Sequence, residues 1–180
     1  MRTVVAAAVA LTLISPGAVH AAPGPLVTVR QDGGTYQVIA QFEVAAPPAA
    51  VLQVLTDYER IPEFAPGVKR SIVRQREAHR VLVEQEAVSR VLMFSKRVHL
   101  LLDVEEQDGS ISFRDRCGRS FASYAGAWTV AASPFGSTIR YTLAAKPGFD
   151  VPEFVLRRVL KNDSTELIEN LQRAIQRAAR

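Results

Sequence analysis

The chain has 180 residues, 48% of them hydrophobic, with 22 basic residues against 18 acidic ones and a single cysteine. A formal charge of +4 is too small an excess to point to nucleic acid, and one cysteine excludes an internal disulfide framework. The length suits one domain stabilised by a hydrophobic core rather than by covalent cross-links.

Export is the first reading in chain order. Arg2 supplies a short basic region, Val4 to Ile14 carry no charge, and Pro16-Gly17 end the apolar run. Val19-His20-Ala21 places small or short side chains at the two positions a signal peptidase reads, so residues 1–21 are predicted to be a signal peptide cleaved after Ala21. The apolar run is about half the roughly 20 residues that a bilayer crossing needs. The expected location is therefore the periplasm or the exterior, and loss of Arg2 lowers the formal charge from +4 to +3.

Residues 22–34 read as a linker with a short N-terminal strand, Leu26 to Arg30, before the turn signal Asp32-Gly33-Gly34. From Tyr36, the residues Val38, Ala40, Phe42 and Val44 alternate with Gln37, Gln41 and Glu43, the period of a half-buried strand, which Ile39 alone breaks. Pro47-Pro48 then opens a helix with Val51, Leu52, Val54 and Leu55 on its apolar face. Tyr58, Ile61, Phe64 and Val68 continue the helical spacing, but Pro62 and Pro66 prevent one long helix. A second short turn and a gate-like loop over Ile61 to Gly67 are expected instead.

Lys69 to Leu143 reads as antiparallel strands: Ser71 to Arg76, Val81 to Ser89, Val91 to Glu106, Ile111 to Arg116, Ser120 to Ala132 and Thr138 to Ala145. With the strand from Tyr36 this gives six or seven. A long helix follows, expected to be capped by Asp150 with Glu153 three residues on. Leu156, Leu160, Leu167, Leu171, Ala174 and Ala178 form its apolar stripe, flanked by Val159, Ile168 and Ile175. Arg157, Arg158, Lys161, Glu169, Arg173 and Arg177 occupy the other face. The fold class is α+β, with the helix laid on the sheet to bury that stripe.

This order of elements resembles the START-like, or SRPBCC helix-grip, superfamily of polyketide cyclase/dehydrase and lipid-transport proteins. Asp57-Tyr58-Glu59-Arg60-Ile61-Pro62-Glu63-Phe64 looks like that family's segment after its first helix. Tyr124 to Val130, followed by Gly136 to Tyr141, resembles its penultimate hairpin, and coenzyme Q-binding START-type proteins are the nearest subgroup. The resemblance implies a Bet v 1-like curved sheet of six to seven strands wrapped around the C-terminal helix, with two short helices after the first strand. It makes residues 35–180 a ligand-binding domain with a cavity between sheet and helix.

Alternation directs Phe42, Leu92, Phe94, Trp128, Ile139 and Tyr141 toward the helix stripe. The resemblance turns part of that face into a cavity wall, with Tyr58, Phe64, Phe149 and Phe154 on or near the gate. The expected ligand-binding residues are Tyr58, Phe64, Phe94, Tyr124, Trp128, Tyr141 and Phe149, joined by Leu156, Leu160 and Asp163 of the helix. Asp163 and Ser164 interrupt the stripe, either to orient a ligand's polar group or because that part of the helix is wet. Lys96 falls in phase with its inward neighbours unless a bulge turns it out.

No catalytic residue, metal site or cofactor is expected. After cleavage only His79 and His99 remain, one in a hairpin turn and one with outward parity. No nucleophilic triad order, His/Cys metal spacing or phosphate loop is present in the sequence. Cys117 is read as a partly buried bystander. The leading expectation is periplasmic binding or transfer of an apolar small molecule, whether lipid, isoprenoid or quinone-like, or polycyclic. A cyclase/dehydratase using Tyr58, Asp163 or Tyr124 is the alternative, and a ligand-free protein-interaction domain the second. The expected partners are that ligand and, transiently, a membrane surface met by the helix's basic face, with no nucleic acid.

Overall fold

The computed structural model describes residues 25–91, 94–150 and 152–179. Its strands are β1 (Leu26–Asp32), β2 (Thr35–Val44), β3 (Val68–Glu77), β4 (Arg80–Val91), β5 (Phe94–Gln107), β6 (Ser110–Asp115), β7 (Phe121–Ser133) and β8 (Gly136–Pro147). Helix α1 (Pro48–Thr56) and a 3₁₀ segment (Tyr58–Glu63) follow β2, and α2 (Glu153–Ala178) ends the chain.

The alternation from Tyr36 does what its period requires. Tyr36, Val38, Ala40, Phe42 and Val44 are buried on one face of β2, and Ile39 points to the other at intermediate exposure. All the strands pair antiparallel in one sheet of order β1-β2-β8-β7-β6-β5-β4-β3. Among the described residues eight strands are present where six to seven were expected, because Leu26–Asp32 joins the edge in full register with β2. Gly33 and Gly34 take φ of +54° and +78°, the double positive φ that a two-residue hairpin turn demands. The strand is faint in sequence because it buries only Val29 fully.

Pro48 begins α1, and Pro62 lies inside the 3₁₀ segment that replaces a continued α-helix. The C-terminal helix begins later than its sequence signal. Pro152 is the N-cap and makes no side-chain cap, so the expected Asp150–Glu153 capping pair is absent. A proline disfavours helical backbone in the residue before it, and the helix starts only after Pro152.

The two halves of α2 do different work. In the C-terminal half, Ile168, Leu171 and Ile175 are each 0% exposed and join the core formed with β2, β8 and α1. Gln172 donates to the Glu43 carbonyl at 3.3 Å, and Asn170 donates to the Phe64 carbonyl at 3.0 Å. Ala178, assigned to the stripe by spacing, is exposed in the last turn. The N-terminal half leaves Val159 and Leu160 only partly covered, and open space lies beneath them.

Candidate functional site: a cavity under the C-terminal helix

That space is a cavity of about 550 Å³ between the sheet and α2, within the 300–1,000 Å³ typical of small-molecule sites. Its floor is the inward face of the sheet, including Val83, Leu100, Leu102, Trp128 and Tyr141. Leu156, Val159, Leu160 and Asp163 of α2 form the roof, and Ile61, Phe64 and Gly67 close one side. Nine of the ten expected ligand-binding residues line it: Tyr58, Phe64, Tyr124, Trp128, Tyr141, Phe149, Leu156, Leu160 and Asp163. The side chain of Phe94 lies outside the described residues, as does Leu92. Phe154 is corrected: on the opposite face of α2 from Leu156, it is 75% exposed and does not reach the cavity. Phe42 and Ile139 are buried in the core and leave the lining to their neighbours.

Aromatic rings cluster at one end. Trp128 and Tyr141, directly paired across β7 and β8, stack at 4.2 Å with 28° between planes. Tyr124 contacts Phe121 at 5.0 Å and Phe113 at 6.0 Å. Phe113 and Phe121 are lining residues that sequence reasoning missed. A signal existed in Gly126, directly paired with Phe113. A Cβ there would come within 2.6 Å of the Phe113 ring and 2.4 Å of the Thr142 carbonyl, so the strand needs glycine to let the ring lie across it.

The gate is tied down by polar contacts outside the cavity. Tyr58 donates to Glu106 Oε1 at 2.7 Å, Arg76 pairs with the same carboxylate at 3.2 Å, and its guanidinium sits 5.6 Å from the Tyr58 ring centre. Burial, then the Glu106 hydrogen bond and charge, push the Tyr58 phenol far above its ordinary range. Tyr58 is thus a buried strut whose hydroxyl is already engaged. Gly67 adopts φ +76°, and its carbonyl accepts from the Val88 N–H at 2.9 Å, closing the gate loop onto β4.

Polar groups lie on the helix and at the rim. Ser164 is buried, and Asp163 borders the cavity with an exposed side chain. Desolvation at the cavity edge, then the Glu166 carboxylate, raises its pKa to about 6. Lys96 lines the rim with its Nζ 4.7 Å from the Phe149 ring centre, and the β4–β5 ladder runs through Ser89 and Lys96 without a bulge. Both phenols at the aromatic end are raised, Tyr124 to about 12 by burial and the Asp115 carboxylate, Tyr141 further by burial and Tyr124.

Among the described residues no histidine lines the cavity. His79 occupies the β3–β4 turn, and His99 sits on the outer face with its Nε2 3.5 Å from Glu84. Glu84, Glu86 and His99 come within metal-ligand reach of one another, but Arg74 and Arg70 already pair with the two carboxylates. Cys117 is half-buried, its thiol donating to Asp115 Oδ1 at 3.2 Å. Although burial opposes its charge, Asp115 is held below the usual carboxylate range by N–H groups of Leu101, Cys117 and Gly118.

A family model described as "Polyketide cyclase / dehydrase and lipid transport" matches residues 35–176. No curated protein matches the chain in sequence. Among solved structures, a Thermus thermophilus protein is similar at 22% identity and TM-score 0.68, over 80% of this chain and 99% of that one. A STAR-related lipid transfer protein from Xanthomonas axonopodis shares 18% identity at TM-score 0.67, covering 88% and 97%. The Zhui aromatase/cyclase from Streptomyces sp. R1128 shares 14% at TM-score 0.67, covering 81% and 96%. At these identities the likeness is one of fold: a START-like helix-grip arrangement.

Proposed function

The chain belongs to the polyketide cyclase/dehydrase and lipid transport family, and from that premise we propose that it is an exported carrier which takes up an apolar small molecule in the cavity. The observation that carries this reading is a cavity of about 550 Å³ walled mainly by aliphatic and aromatic side chains. The driving force is desolvation, about 25 cal/mol per Å² of apolar ligand surface removed from water. The cargo is lipid, isoprenoid or quinone-like, or polycyclic, held by the cavity-lining residues and admitted by movement of Ile61 to Gly67. Processing after Ala21 would deliver residues 22–34 and the domain 35–180 to the periplasm.

Exchange at an anionic membrane surface belongs to the same proposal. Phe154, Arg158 and Lys161 follow one another at spacings of four and three on the exposed side of α2, and Arg157 flanks them while donating to the Val29 carbonyl at 3.4 Å. Protein purified from the periplasmic fraction, analysed by native mass spectrometry and then extracted with organic solvent, tests the carrier reading. The expected result is a mature chain beginning at Ala22 with an apolar molecule that is returned unchanged. Conversion of the molecule would favour a cyclase-type enzyme, and repeated empty spectra with no uptake of added apolar ligands would overturn binding.

A further inference from the structure

The outer face of the sheet carries a group of ligating side chains directly behind the cavity wall. Glu84 and Glu86 stand two apart on β4 and so share a face, and His99 on β5 is paired with Glu86 across the ladder. Their inward neighbours Val83, Gln85, Ala87, Val98 and Leu100 line the cavity. One oxygen from each carboxylate and one imidazole nitrogen lie within 4.8 Å of one another. Two residues spaced i, i+2 on one strand and a third on its neighbour therefore offer three donors to a single ion.

The separations fit a shared ion better than direct contact. His99 Nε2 stands 3.5 Å from Glu84 Oε1, longer than a hydrogen bond of about 2.7–3.2 Å. Two ligands at the roughly 2.0–2.2 Å bond lengths of zinc stand about 3.4 Å apart at the corners of a tetrahedron. The neighbouring arginines leave this set usable. Arg74 holds Glu84 through Oε2, so Oε1 remains directed to His99. Arg70 reaches Glu86 only at 3.8 Å with both side chains more than half exposed, and so loose a surface pair contributes little. His99 and Glu84 keep 26% and 19% of their side-chain surface exposed, so an ion can reach them from solvent.

We propose that Glu84, Glu86 and His99 bind a divalent first-row cation, with zinc the best fit and solvent completing the coordination. The imidazole argues against magnesium and calcium, which take oxygen ligands, and the lack of sulfur argues against copper(I). Zinc accepts nitrogen and carboxylate oxygen together and imposes no geometry of its own. An ion held here fastens β4 to β5 on the face turned away from the cavity. The assignment is independent of what the cavity holds.

Calorimetric titration of the untagged protein with zinc chloride, in a buffer that does not bind metals, tests the site. One ion per chain is expected in the micromolar range, and cobalt(II) in its place should show the visible absorption of a four- or five-coordinate ion. His99→Ala should weaken zinc binding at least about tenfold, while His79→Ala, in the β3–β4 turn, should leave it unchanged. Glu84→Gln keeps the size of the side chain, loses its charge and should weaken binding as well, which gives a second reading if His99→Ala does not fold. Arg70→Ala should tighten binding by about twofold to fivefold, the worth of a surface ion pair that the metal no longer has to displace. Absence of binding at about 1 mM zinc, affinity that survives His99→Ala or Glu84→Gln in folded protein, or weaker binding in Arg70→Ala would each overturn the site.

Discussion

Gly67 carries the gate loop through a backbone conformation that a side chain cannot share. At φ +76° an added Cβ would approach the Val88 carbonyl oxygen to 2.7 Å, and that oxygen belongs to a strand that cannot retreat. Gly67→Ala is expected to cost about 1–3 kcal/mol through backbone strain, read as a lower urea midpoint in equilibrium unfolding. Asp163 presents the opposite case, a native side chain that the fold tolerates at a cost. Its folded pKa of about 6 lies above the ordinary value of 3.8, so the native state binds more protons than the unfolded one between those values. Stability should therefore fall as pH rises through that window, with the penalty complete above about pH 6 and absent below about pH 4. Asp163→Asn should melt higher than the unmutated protein at pH 7.5 and level with it near pH 4. A constant gap across that range would show that Asp163 is well solvated when the chain is folded.

At the scale of elements, α2 joins a dry half to a cavity-facing half, and deletions should tell them apart. Leu171 is 0% exposed and packed in the core, so Leu171→Ala should cost about 2–5 kcal/mol, the range for an emptied core site. Leu160 borders open space, and its truncation removes fewer contacts; Leu160→Ala should cost less than half as much while enlarging the cavity. Paired denaturant curves at constant slope measure the difference. The strands show where sequence is strong and weak as a guide. β2 was legible because every second side chain is buried. β1 was nearly lost because a strand at the sheet edge needs few apolar residues, and its register comes from the glycine hairpin. The start of α2 was misplaced because Asp150 and Glu153 fit a local capping pattern that Pro152 overrides.

For the whole molecule, binding should couple to stability by mass action. A ligand present at 100 times its Kd adds about 2.7 kcal/mol, so stripping the protein with organic solvent and restoring the ligand should lower and then recover its melting temperature. A melting temperature indifferent to saturating ligand would count against the cavity as the binding place. Membrane exchange is checked independently by co-sedimentation with anionic vesicles, which Arg158→Glu combined with Lys161→Glu should abolish at moderate salt.

Much of this architecture was written in local pattern. Alternation, proline placement and a 3.6-residue stripe are set by neighbours in the chain, and they specified an antiparallel sheet followed by one long amphipathic helix. The same parity put Trp128 and Tyr141 on the inward face, where the structure stacks them in the cavity wall. What local pattern could not decide was whether an inward apolar residue packs or lines a void, because both choices satisfy the same periodicity. Phe42 and Leu171 met partners and became core, whereas Leu160 and Tyr124 met open space. That distinction depends on how α2 lies across the sheet, with its C-terminal half seated against β2 and α1 and its N-terminal half spanning the cavity. Tertiary geometry alone also brought Phe113 to Tyr124 and committed the Tyr58 hydroxyl to Glu106, since these partners lie on separate elements.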